Sequence, residues 1–137
     1  MILWRIASET RQYGAADLSG AGAAAKPGRW NAIGEAVLYA APTIAMAVLE
    51  TAAHIDDAGL PQNRFVVRID VPEKMWRART TLGSRWLREG ASALLEVPSV
   101  IVPEETVVAL NATHPEIKRL KATVVRRFDY PRLFRGG

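Results

Sequence analysis

Glu50 and His54 interrupt the most apolar helical stretch of the chain, which runs from Thr43 to about Ile55. Their i, i+4 spacing puts a carboxylate and an imidazole on one helical face, where they can act together. A buried carboxylate costs on the order of several kcal/mol unless it is paired, and the Ala-rich neighbours offer no partner. Arg29 is the external candidate, placed just before a short strand that presents Tyr39. The plainer alternative is that Glu50 and His54 begin the solvated face of an amphipathic helix. Ser99 lies between Pro98 and an apolar run, so its hydroxyl is either rigidly held for chemistry or a simple turn serine. Trp30 and Trp86 read as core residues before ligand-stacking ones. Asn111 and His114 read as caps of a turn before Pro115, and Arg126 with Arg127 as the charged protection of an edge strand.

Other chemistries lack their residues. The chain has no cysteine, which removes disulfides, thiolate nucleophiles, iron–sulfur clusters and Cys-type zinc sites together. His54 and His114 are 60 positions apart, and a metal site would need carboxylates to complete it, so no metal is expected. No phosphate-binding G-x-x-x-x-G-K-[ST] loop, no G-x-G-x-x-G after a strand and no H-E-x-x-H occurs.

The elements that must position these residues follow from pattern. Leu3 to Ala7 reads as a first strand with Trp4 and Ile6 on one face and Leu3 and Arg5 on the other. Leu18 to Gly28 is small and turn-rich and reads as a mobile loop. Ala36 to Ala41 is a buried strand ended by Pro42, and Thr43 is placed to cap the helix that follows. Asp56 to Asn63 is a loop, and Phe65 to Val71 a strand with Arg68 and Asp70 on one face, stopped by Pro72. The spacing predicts a short helix over Thr80 to Glu89, with Leu82 and Trp86 on one side and an Arg85 to Glu89 pair on another. Ala93 to Val102 reads as two strand pieces or one strand bent at Pro98. Glu104 to Leu110 is ambiguous. Pro115 to Lys121 is a helical turn, and Thr123 to Phe128 a last strand. Strands scattered among helices without β–α–β alternation give an α+β class with a mixed sheet core and flanking helices.

The 137 residues allow one domain, 1–137. With 49% hydrophobic and 23% charged residues, the chain is of the soluble globular type. Its apolar runs fall short of a membrane span of about 20 residues. The start lacks the features of a signal peptide, so a cytoplasmic location is expected. The net charge of +4 is misleading, because the segment 118–137 carries +6 and the preceding residues −2. The basic character belongs to the C-terminal segment alone.

Taken in order, Gly28-Arg29-Trp30-Asn31, Gly34, Val37-Leu38-Tyr39-Ala40-Ala41, Ala47-x-x-Glu50, Val97-Pro98-Ser99 and Asn111-x-x-His114-Pro115 resemble the RES-domain family. The likeness runs from Trp4 to His114. The chain departs from it in having Pro27-Gly28 for a common Gly-Gly and Asn111-Ala112 for a common Asn-Pro. The resemblance implies a fold similar to ADP-ribosyltransferases and the toxin half of a bacterial toxin–antitoxin pair. It makes Arg29, Tyr39, Glu50 and Ser99 the catalytic set, with Trp30, Asn31, His54 and Asn111 lining the NAD site. NAD is the implied substrate, with inorganic phosphate a candidate co-substrate. The implied partner is an Xre-like helix-turn-helix antitoxin, and homo-oligomers are allowed within the complex. Glycohydrolase or phosphorylase action is the first expectation and ADP-ribosyl transfer to a host protein the second. A third, of another class, is a nucleic-acid-binding module built on the basic segment; no recognition helix or RNA-binding motif supports it.

Overall fold

In the computed structural model, residues 1–19, 36–53, 55, 60–81 and 92–130 are described. Arg29, Trp30, Asn31 and His54 lie outside them, as do Arg85, Trp86, Glu89 and most of the helix expected over Thr80 to Glu89.

Chain order is β1 (Ile2–Ser8), β2 (Val37–Ala40), α1 (Ile44–Ala52), β3 (Arg64–Asp70), α2 (Glu73–Arg77), β4 (Leu94–Pro98), β5 (Thr106–Asn111), a 3₁₀ turn (Pro115–Arg119) and β6 (Lys121–Phe128). The α+β class holds, but the expected mixed sheet is replaced by two three-stranded antiparallel sheets, β1-β3-β6 and β2-β5-β4. Among the described residues, parallel pairing is confined to an isolated bridge between Thr80 and Leu95. The sheets join at one corner, where Trp4 and Ala41 exchange backbone hydrogen bonds of 2.7 and 2.8 Å.

Local chemistry explains the boundaries. Thr43 caps α1, its hydroxyl accepting from the Met46 N–H at 3.1 Å, which satisfies one of the free donors of the first turn. Pro98 ends β4, so the second strand piece expected after it is instead a turn leading to Thr106. Asn63, with φ 58°, makes the left-handed turn into β3 that Asn tolerates better than most residues; its side-chain amide donates to the Glu9 carbonyl and ties that turn to the end of β1. Arg68 and Asp70 share a face of β3 as their spacing requires and pair at 3.0 Å.

Alternation along the strands divides the core. Leu3, Ala7, Val67, Ile69, Leu38 and Leu110 belong to one buried cluster. Ile6, Val66, Val37, Val97, Ala109 and the α1 residues Met46 and Ala47 belong to the other. Tyr130 is 1% exposed and meets Phe128 edge to face at 4.9 Å. Phe128 and Tyr130, which lie within the basic segment, thus pack on the core.

Candidate functional site

The second sheet presents a face defined by register. Val37 lies opposite Asn111 and Tyr39 opposite Ala109, while Leu95 lies opposite Ala109 and Val97 opposite Val107. Because side chains alternate with period two, these residues share one side of the sheet. Helix α1 covers that side, its Met46 and Ala47 packing in the same cluster as Val37, Tyr39, Val97 and Ala109. Glu50 follows Met46 and Ala47 by one helical turn and is therefore carried on the inward flank of α1. It is half-buried, and His54, the other residue of the expected pair, lies outside the described residues.

Its partner is Ser99, not an arginine of the described residues. Ser99 is 2% exposed and comes two residues after Val97, where Pro98 stops the strand. The turn holds it firmly. Its N–H donates to the Glu105 carbonyl at 2.9 Å, and the Glu105 N–H returns to the Val102 carbonyl at 2.9 Å. The Ser99 hydroxyl oxygen accepts from the N–H groups of Ile101 at 3.1 Å and Val102 at 3.0 Å. A serine oxygen has two acceptor sites and one proton. With both acceptor sites used, the proton has one direction left, and it goes to Glu50 Oε1. The arrangement makes Ser99 a donor that fixes a carboxylate. It also leaves no lone pair on the oxygen for nucleophilic attack.

Asn111 and His114 behave as the caps their positions suggest. Asn111 is 3% exposed, and its Oδ1 accepts from the Thr113 N–H at 3.1 Å and hydroxyl at 2.7 Å. His114 Nδ1 accepts from the Glu116 N–H at 3.1 Å and starts the 3₁₀ turn. Asn111 nevertheless lies on the Tyr39 face of the sheet, so the cap and the site share a wall.

Sequence reasoning passed over Arg5. It lies opposite Val67 on β1, on the face of Leu3 and Ala7, and no hydrogen bond or ion pair within 4 Å holds it among the described residues. Burial pushes its guanidinium down to about 10, an effect opposed by the charges of Tyr13 and Asp17. A desolvated cation without a close partner is suited to receive an anionic group. The only signal in the sequence was an arginine on the inward side of an otherwise apolar strand.

A second polar cluster is complete in itself. Arg79 Nε pairs with Glu96 Oε1 at 3.1 Å, its guanidinium lies 4.1 Å from the centre of the Trp76 ring, and Thr106 donates to Glu96 Oε2 at 3.0 Å. This cluster ties α2 to β4. Among the described residues, no group of three His, Asp or Glu side chains stands together as a metal site, and no helix is long and apolar enough to cross a membrane.

A small α+β domain of two corner-joined antiparallel sheets, with a helix-borne carboxylate fixed by a buried serine, is the class that fold and site define. Comparison with known proteins gives the class its family. The RES-domain family model matches residues 2–82. Among curated proteins, the chain is 44% identical to the "Prs ADP-ribosylating toxin" of Sphingobium sp. (strain YBL2), covering 96% of each chain. It is 35% identical to "Toxin Res" of Pseudomonas putida, covering 98% of this chain and 100% of the relative, and 32% identical to "Toxin Res" of Photorhabdus laumondii, over 95% and 93%. The chain belongs to the RES-domain family and is related to the toxin components of RES–Xre toxin–antitoxin systems.

Proposed function

We propose that the chain consumes NAD by cleaving the bond between nicotinamide and ribose, and that it is the toxin of a pair whose other member is an Xre-like antitoxin. The observation that carries the reading is the Ser99 hydroxyl, saturated by two backbone N–H groups and donating to Glu50. When the C1′–N1 bond of NAD breaks, the electron pair goes to the pyridinium nitrogen and nicotinamide leaves neutral. No general acid is needed, unlike at an ordinary glycoside. What the transition state does need is a preorganised negative charge beside the oxocarbenium-like ribose, and Glu50 supplies it. Ser99 acts through Glu50 as a positioning residue. Tyr39, on the same side of the sheet, contacts nicotinamide or ribose. Arg29 grips the pyrophosphate or an attacking phosphate, its planar fork suiting bidentate contact. Arg5 is added to the anion-binding set. Trp30, Asn31, His54 and Asn111 complete the wall of the NAD site.

A second reading concerns the acceptor. The 44% identical Sphingobium relative bears a name that specifies ADP-ribosylation of Prs, which favours transfer to a protein side chain. In that case the acceptor atom forms the new bond to C1′ and releases its proton to solvent or to Glu50.

Incubation with NAD, with and without phosphate and with and without Prs, separates the outcomes. Released nicotinamide measured by chromatography tests bond cleavage, and intact mass of Prs tests transfer. Glu50→Gln is expected to slow nicotinamide release by at least about a hundredfold in every arm, leaving a measurable residual rate. Wild-type turnover by Glu50→Gln would remove the carboxylate from the mechanism.

A further inference from the structure

The outer edge of β6 offers a surface unrelated to Glu50. Among the described residues β6 pairs only with β3, so its other edge presents a row of backbone donors and acceptors. Most of the strand is exposed, including Val124 at 43% and Val125 at 50%. The register shifts between Val66 and Val67, with Val67 opposite Val124 and Val66 opposite Arg126, so Val125 is a bulge residue.

Following the register, the two faces of β6 differ. Lys121, Thr123 and Arg126 lie on one face, with Arg68 and Asp70 of β3. Ala122 and Val124 lie on the other, followed at its far end by Arg127, whose charge is taken by Asp129. That second face continues into an open depression of about 360 Å³ lined by Leu18, Ile117, Leu120 and Ala122, with Asp17 and Lys118 at its polar margin. The local acids are largely engaged: Asp70 with Arg68, Glu116 with Arg119 at 3.5 Å, and Asp129 with Arg127 at 3.6 Å. Asp17 accepts from the Ser19 hydroxyl at 2.6 Å. Lys118, Lys121 and Arg126 make no ion pair among the described residues.

We infer that the β6 edge and the adjoining depression bind an extended, acidic segment of a partner protein, added to the sheet as a further strand. A strand places alternate side chains on opposite faces. Carboxylates at every second position meet Lys121 and Arg126, while the intervening apolar side chains meet Ala122, Val124 and the depression. Main-chain pairing along the edge supplies affinity and the pockets supply specificity. A nucleic acid cannot match the peptide ladder, and a second copy of this chain would set Lys121 and Arg126 against their own like charges. The bulge and the cations are themselves devices that discourage uncontrolled edge pairing. Here they act as a filter that admits an acidic strand and rejects a neutral or basic one.

The test uses the full chain and a capped, fluorescein-labelled peptide of about eight residues with alternating glutamate and valine, a length that spans the strand. Saturable binding by anisotropy is expected, with backbone amide shifts in β6. Charge reversal by Lys121→Glu with Arg126→Glu is expected to weaken binding by about tenfold or more, with an unchanged melting temperature, because both side chains are at the surface. The same peptide N-methylated at alternate residues keeps its charge but loses ladder donors, and it is expected not to bind. Binding of the N-methylated peptide at equal affinity overturns strand addition. So do absence of saturable binding, stronger competition by duplex DNA than by unlabelled peptide, and a concentration-dependent dimer that blocks the peptide. None of these outcomes bears on NAD turnover, so this inference and the reading of the Glu50 site fail separately.

Discussion

Replacing Ser99 by alanine separates a positioning role from a ligand-binding one. The side-chain oxygen takes part in three hydrogen bonds: it accepts from Ile101 and Val102 and donates to Glu50. A neutral hydrogen bond contributes about 0.5–1.5 kcal/mol net, and one to a charged group about 1.5–3. Water can reach the Ile101 side of the turn, since Ile101 is 38% exposed, so part of the loss is recovered there. A destabilisation of about 2–4 kcal/mol follows, or roughly 6–15 °C in Tm for a domain of this size. For catalysis, Glu50 without its donor is free to sample other rotamers. A loss of about 1.4–2.8 kcal/mol of transition-state stabilisation lowers kcat about 10- to 100-fold. Nicotinamide release, measured well below the mutant Tm, is expected to show that fall in kcat with KM for NAD nearly unchanged. In a Glu50→Gln background, the further change Ser99→Ala is expected to cost almost nothing in rate, because the two residues act as one unit. A raised KM with intact kcat, or full additivity in the double variant, would refute the chain of reasoning and put the Ser99 hydroxyl on the substrate.

Arg5→Met removes a half-buried cation that has no close partner among the described residues, so Tm is expected to stay level or rise while KM for NAD increases at least about tenfold. Because burial lowers the Arg5 pKa from its ordinary value to about 10, the folded protein releases this proton before the unfolded chain does. The wild type is therefore expected to gain stability relative to Arg5→Met as pH rises above about 10, read by denaturant titration of both proteins. Thr43→Ala deletes the α1 cap and is expected to lower stability by about 0.5–2 kcal/mol, with a fall in kcat that follows from looser seating of Glu50. Glu96→Ala strips Arg79 of its carboxylate and Thr106 of its acceptor; a loss of about 2–4 kcal/mol with unchanged kinetic constants is expected, since this cluster ties α2 to β4 away from the site.

What the sequence revealed depended on the range of the interaction. Thr43, Pro42 and the run of helix formers after them specify α1 within a few residues, and α1 begins where they say. Arg68 and Asp70 are two apart, so strand geometry alone predicts that they share a face and pair. Strand β5 was ambiguous because five of its six residues are buried, and a strand buried on both faces loses the alternation that marks it. Helix α2 escaped notice because it has five residues and no side-chain cap, too short for any periodicity. The Glu50–Ser99 hydrogen bond spans 49 positions. No local pattern encodes it; each residue was singled out by type and place, and only the family likeness joined them.

Arg5 and Ser99 now stand at opposite ends of one relation between stability and function. Ser99 contributes to both, because the hydrogen bonds that order its turn also aim its proton at Glu50. Arg5 sets them against each other, because a desolvated guanidinium is costly until an anion arrives. In the reading proposed above, NAD brings that anion as its pyrophosphate, so binding compensates the desolvated Arg5 charge while the Glu50 carboxylate waits in fixed geometry for the ribose. A domain arranged in this way holds its reactive group rigid before substrate binds and draws affinity from the cation it keeps without a close partner. NAD analogues that retain the pyrophosphate but lack nicotinamide are then expected to raise the Tm of the wild type much more than that of Arg5→Met. Equal shifts in the two proteins would place the anion elsewhere.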